Sequence, residues 1–131
     1  MKSRTATTVL PAPKEEVFAY LSETENLPSW ATEFARELKL VDGKYKIVNG
    51  LGEFFFEIRA DQESGVIDML AGPSEAELAL FPTRVVPLDD RTSAFTFTMF
   101  QGPGQNDELF ESQYASLLRE LENIERRFAR R

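Results

Sequence analysis

A few polar side chains fall where strand pairing would turn them toward an apolar face. Across an Asp42-Gly43 turn, Arg36 and Asn49 are cross-strand partners and Tyr45 lies opposite Leu40. Arg84 shares a strand face with Val86 and Leu88, and Gln101 ends the face formed by Phe95, Phe97 and Met99. An inward guanidinium can hold a ligand carboxylate or enolate in a two-pronged hydrogen bond. A tyrosine hydroxyl can supply or accept a proton. Burying any such group unpaired costs about 1–3 kcal/mol or more, so each needs a partner. For Arg36 and Arg84 the structural alternatives are an ion pair, for instance with Glu111 or Glu120, or an exposed strand end.

The rest of the chemical inventory is short. The 131 residues include no histidine and no cysteine. That excludes disulfides, thiolate nucleophiles, Ser-His and Cys-His pairs, and imidazole or thiolate metal ligands. Only Asp, Glu, Tyr, Lys, Ser and Thr remain to move protons. The acidic pairs Glu15-Glu16, Asp89-Asp90 and Asp107-Glu108 occupy helix starts or turns, where carboxylates need no metal. Calcium loops, phosphate-binding glycine loops and the serine elbow are absent. No catalytic residue is assigned, and neither a metal nor a cofactor is implied.

Net charge is −7, unevenly distributed. Arg126, Arg127, Arg130 and Arg131 close the chain, leaving 11 positive against 22 negative charges in residues 1–125. A body this acidic repels phosphate backbones, so nucleic acid is not an expected partner. The terminal arginines suit the negative end of a helix dipole. No apolar run approaches the roughly 20 residues of a membrane span, and threonines follow Met1-Lys2-Ser3-Arg4 where a signal peptide would be apolar. A cytoplasmic protein is the expectation.

These residues must be positioned by a single domain spanning 1–131. Residues 5–10 are rich in Thr and Val and form a strand, stopped by Pro11-Ala12-Pro13. Pro13 suits a first helical position, with Val17, Phe18 and Leu21 as the apolar stripe of the helix. A second short helix starts near Asn26 and carries Leu27 and Trp30. From Phe34 the period becomes two. Residues 36–41 and 44–49 form a hairpin around Asp42-Gly43, with Leu38 opposite Ile47. Residues 53–61 place Phe54, Phe56, Ile58 and Ala60 on one face, with Phe55 on the polar side. Residues 66–71 alternate Ile67 and Met69 with Asp68. An extended segment over 76–88 is interrupted by Pro82, which implies an edge or bulge. Residues 93–101 follow. After Gly102-Pro103-Gly104, Asn106 caps a helix whose Phe110, Tyr114, Leu117, Leu121, Ile124 and Phe128 recur every three or four residues, about 30 Å or more of apolar face.

The order is therefore β-α-α-β6-α, an α+β fold. A curved antiparallel sheet of about seven strands must bury its apolar face against the long C-terminal helix. A sheet wrapped around one helix leaves a concave apolar space of the kind that takes small molecules.

The chain resembles the helix-grip superfamily of START lipid-transfer domains, birch-pollen-allergen-like proteins and polyketide cyclase/dehydrase proteins (SRPBCC). The resemblance rests on the first strand running into Pro11-Ala12-Pro13 and Glu16-Val17-Phe18, on Asn26-Leu27-Pro28-Ser29-Trp30, on Arg84-Val85-Val86-Pro87, and on the strand over 95–100 with Gly102-Pro103-Gly104 before an acidic helix start. It implies the helix-grip fold and a cavity but no particular reaction. Relatives in the bacterial branch often carry histidine at the position of Met69, so a histidine-dependent role would be missing.

The expected ligand-binding residues are Trp30, Arg36, Tyr45, Phe56, Met69, Arg84, Phe97, Met99 and Tyr114. Phe54 and Phe95 belong to the same wall. The aromatic and Met positions equally describe a filled core, and Trp30 either guards the mouth or anchors its short helix. The leading expectation is binding of a small hydrophobic molecule (lipid, polyketide-like or isoprenoid) between sheet and helix. A cyclase, dehydratase or isomerase using Tyr45 or a buried carboxylate, with Arg36 or Arg84 on an enolate, is the alternative. The second alternative is an interaction module of the chaperone-activator type, docking through Phe55 and Phe81 on the outer sheet face. The same two residues would serve a homodimer contact.

Overall fold

Alternating apolar residues and tight turns produce most of the sheet. In the computed structural model, which describes residues 1–129, the elements are β1 (Ser3–Leu10), α1 (Lys14–Leu21), a 3-10 turn at Thr24–Asn26, α2 (Leu27–Trp30), β2 (Glu37–Val41), β3 (Lys44–Asn49), β4 (Gly52–Asp61), β5 (Val66–Gly72), β6 (Ala79–Phe81), β7 (Thr83–Asp89), β8 (Thr92–Phe100) and α3 (Asp107–Arg127). The antiparallel sheet runs β1-β8-β7-β5-β4-β3-β2, with short β6 added beside β5. This is the helix-grip architecture, with α3 laid across the concave face. No helix of the described residues is long and apolar enough to cross a membrane.

The first hairpin forms where Asp42 and Gly43 take left-handed φ values of 52° and 78°. Two consecutive left-handed residues match the strand twist of a two-residue turn. The resulting register pairs Leu40 with Tyr45 and Leu38 with Ile47. Pro13 is the N-cap of α1, one position before the helix proper. Asn106 caps α3 by accepting the Leu109 N–H on its side-chain oxygen at 2.8 Å. Phe110, Leu117, Leu121, Ile124 and Phe128 are buried as the helical spacing requires. Arg126 and Arg127 close the last turn of α3, where cations favour the dipole. Arg130 and Arg131 lie outside the described residues.

The segment 76–88 departs from the expected single strand. Residues 73–77 bend and turn, and Pro82 separates β6 from β7. The inward phase runs unchanged across it. Thr83 and Val85 pair with Phe97 and Phe95 on the inner face, and Arg84 pairs with Thr96 on the outer one. The fully buried Val85 takes the inward position. Phe81 also changes face: it packs inward against Phe34 and Phe97. Phe55 does lie on the outer face, yet it is half-buried and carries the Lys46 ammonium 4.6 Å from its ring centre. The outer sheet face thus lacks the pair of exposed phenylalanines that a docking surface was expected to use.

Candidate functional site

The inner face of the sheet carries a continuous row of six aromatic rings. Trp30 packs edge-on against Phe95 at 6.3 Å between ring centres, and Phe95 against Phe97 at 6.3 Å. Phe97 meets Phe81 at 6.1 Å, Phe81 meets Phe34 at 6.4 Å, and Phe34 meets Phe56 at 6.1 Å. Such tilted contacts satisfy the ring quadrupoles and add about 0.5–1.5 kcal/mol each beyond buried area. Trp30 and Phe95 at one end and Phe56 at the other are buried, whereas Phe97, Phe81 and Phe34 between them are half-buried. The row therefore reaches the surface at its middle.

Beneath the row the interior is filled. Leu10, Ile67, Val85, Phe95, Phe110 and Ile124 are all below 2% exposed. Among the described residues, two of the hollows at the surface lie near these elements. One of 340 Å³ lies beside the turn between β2 and β3, lined by Thr24, Lys44, Tyr45, Phe56 and Ile58 among others. It abuts the row at Phe56. The cations flanking it are engaged, Lys44 with Glu75 and Arg59 with Glu57. The other, of 470 Å³, lies between α1 and the end of α3, where the Arg127 guanidinium stacks 4.2 Å from the Tyr20 ring centre.

The expected site residues separate into groups. Trp30, Phe56 and Phe97 come together in the ring row, and Met69 and Met99 are buried in the same core. Trp30 is 2% exposed, so it anchors α2 against Phe95 and does not guard a mouth. Tyr45 is half-buried at the first hollow, where burial comes first and the Glu25 and Glu23 carboxylates second in raising its hydroxyl pKa. Tyr114 is half-buried on α3 with the Arg4 guanidinium 5.9 Å from its ring centre.

The two arginines are elsewhere. Arg84 is exposed on the outer face and donates to the Ser64 carbonyl at 3.0 Å, which corrects its expected inward position. Arg36 sits one residue before β2 as an exposed strand end, its backbone N–H on the Val48 carbonyl at 3.0 Å. The Asn49 amide turns to the Phe34 carbonyl at 2.8 Å. Arg4 has the inner-face position that neither held, opposite Met99. It makes a two-pronged contact with Glu111 at 2.7 and 3.1 Å. Hydrogen bonding to Arg4 lowers the Glu111 pKa.

One buried carboxylate was not assigned from the sequence. Glu120 of α3 is 4% exposed. One of its oxygens accepts the backbone N–H groups of Glu33 at 3.0 Å and Phe34 at 2.9 Å. Burial, opposed by these two hydrogen bonds, pushes its pKa up from 4.5 to about 7. The signal was helical phase: Leu117, Glu120 and Ile124 are spaced three and four apart, so Glu120 shares the flank of the apolar stripe. Its neighbours clamp the same segment. Arg119 grips the Glu33 carboxylate at 2.7 and 2.8 Å, Ser116 donates to it at 3.0 Å, and Asn123 donates to the Trp30 carbonyl at 2.9 Å. Among the described residues no cluster of three or more acidic side chains could hold a metal ion.

No family model and no curated protein sequence matches this chain. Solved structures do match it in shape. The protein XoxI from Bacillus cereus superposes with a TM-score of 0.77 at 15% identity, over 98% of this chain and 96% of that one. A START superfamily protein from Mycobacterium smegmatis gives 0.67 at 15% identity, over 95% and 97%. The fold is START-like. The Zhui aromatase/cyclase from a Streptomyces species matches the same START-like frame at 0.67 and 14% identity, over 93% of this chain and 87% of that one. At these identities the likeness is one of backbone architecture, and the ring row and Glu120 clamp are read from this chain alone.

Proposed function

We propose that the protein binds a small hydrophobic molecule, of lipid, polyketide-like or isoprenoid type, between the sheet and α3. The observation that carries this reading is the ring row. Three half-buried phenylalanines at its middle, Phe34, Phe81 and Phe97, continue on both sides into buried rings. Because the interior is filled, the ligand would enter by turning these three rings aside and taking up their contacts, so the cavity forms as it is occupied. Rings of two rotatable bonds permit this at modest entropic cost. The Zhui aromatase/cyclase offers a fold-level precedent only.

A cyclase or isomerase activity would need an acid or base against the ligand. Glu120 has a suitable pKa, yet its carboxyl is taken up by the backbone of Glu33 and Phe34. That favours binding over proton transfer. Native mass spectrometry after gentle purification tests the proposal, with a bound small molecule as the expected result. A protein that is empty and also ignores fluorescent fatty-acid probes overturns it.

A further inference from the structure

We propose that residues 32–34 are a movable strap over the ring row, latched to α3 through Glu120, and that the strap opens as pH rises through neutrality. As a gate, it rests on the reading of the ring row as a ligand site. The geometry begins with what the strap carries. It carries the half-buried Phe34, whose ring touches Phe56 and Phe81. Moving the strap therefore lifts this ring and uncovers its neighbours in the row.

The strap is held mostly by polar contacts to one helix. Asn123 binds the Trp30 carbonyl and, at 3.2 Å, the Thr32 hydroxyl. Ser116 and Arg119 bind the Glu33 carboxylate, and Glu120 takes the Glu33 and Phe34 N–H groups. On the sheet side the Asn49 amide holds the Phe34 carbonyl. The strap is flanked by the buried Ala31 and Ala35, with the Ala31 N–H on the Leu27 carbonyl at 2.8 Å and the Ala35 N–H on the Ala31 carbonyl at 2.7 Å. Such a segment can leave as a unit without breaking the sheet ladder, as low-stability local openings do.

The sign of the pH response follows from burial. In the closed strap Glu120 is shielded from water, which penalises its charged form; in an open strap it regains water. The charged groups acting on it are Glu33, which disfavours its ionisation, and Arg119, which favours it. Arg36 acts on Glu33 in turn. With the closed form titrating at about 7 and the open form near the ordinary 4.5, the opening equilibrium rises about tenfold between pH 6 and pH 8.

Amide hydrogen exchange on the full-length protein tests this without any ligand. After correction for intrinsic exchange, the Glu33 and Phe34 amides should open more readily than those of β8, and about tenfold more readily at pH 8 than at pH 6. The rise should vanish in Glu120→Gln, which keeps an acceptor but cannot ionise. The strap is refuted if these amides exchange only with the β8 amides, by global unfolding. It is equally refuted if the wild-type rise is absent or persists in the variant. Should the amides behave as expected while 1-anilinonaphthalene-8-sulfonate fails to bind, the strap stands and the ligand site falls.

Discussion

Replacing Glu120 by glutamine should change the dependence of stability on pH more than stability itself. The glutamine oxygen can still accept the Glu33 and Phe34 N–H groups that the carboxylate now holds at 3.0 and 2.9 Å. It has no charge to bury. Folding raises the Glu120 pKa from 4.5 to about 7. A raised folded-state pKa means that the folded protein binds the extra proton, so the stabilisation is complete below about pH 4.5 and is lost as pH rises through 7. At 1.36 kcal/mol per pKa unit the full window is about 3 kcal/mol, of which about 2.5 kcal/mol falls between pH 5 and pH 9. The carboxylates Glu33, Asp61, Asp89, Asp107 and Glu111 have lowered pKa values, so their contributions are lost only on the acid side of the ordinary carboxylate range. Urea melts of both proteins from pH 5 to pH 9 measure the difference. Wild type should lose stability across this window while Glu120→Gln stays level, the two converging near pH 5. A wild-type protein whose stability is flat or rises, or a variant that falls in parallel, would refute the assignment of this window to Glu120.

Ile124→Ala removes a fully buried side chain from the α3 stripe and should cost about 3 kcal/mol in denaturant melts. Gly65→Ala should be as severe, since Gly65 has φ +80° and an added Cβ would lie 2.1 Å from the Val85 carbonyl oxygen; a thermal midpoint near that of wild type would contradict the β5–β7 junction described here. In titrations with a naphthalene-based fluorescent probe, Phe97→Ala should weaken binding tenfold or more, by order of magnitude for a lost aromatic contact. Arg84→Ala, on the outer face, should leave the probe affinity unchanged.

Where sequence periodicity and turn chemistry act locally, the fold was legible. Asp42-Gly43, the alternation through Phe54, Phe56 and Ile58, and the three-four spacing from Phe110 to Phe128 each specify an element and its buried face. The face of β7 was not legible, because the alternation along 79–88 fits either phase and only pairing with β8 decides which phase is buried. That single ambiguity displaced both Arg84 and Phe81. Trp30, Phe56 and Phe97 could be placed in the apolar interior from pattern, but the ring row itself joins residues from α2, the segment after it, β4, β6 and β8. Glu120 was read from the sequence only as an ion-pair partner for an inward arginine. Its partners are backbone N–H groups 86 and 87 positions away, which no local pattern reveals.

The most direct test of ligand binding along the ring row is an NMR titration of the phenylalanine ring signals with a long-chain fatty acid and with a planar polycyclic phenol. Saturable one-to-one shifts should concentrate on Phe34, Phe81 and Phe97, with Phe56 following and Phe55 on the outer face silent. Absence of saturable shifts with either compound, or shifts centred on Phe55 and its outer-face neighbours, would contradict the account.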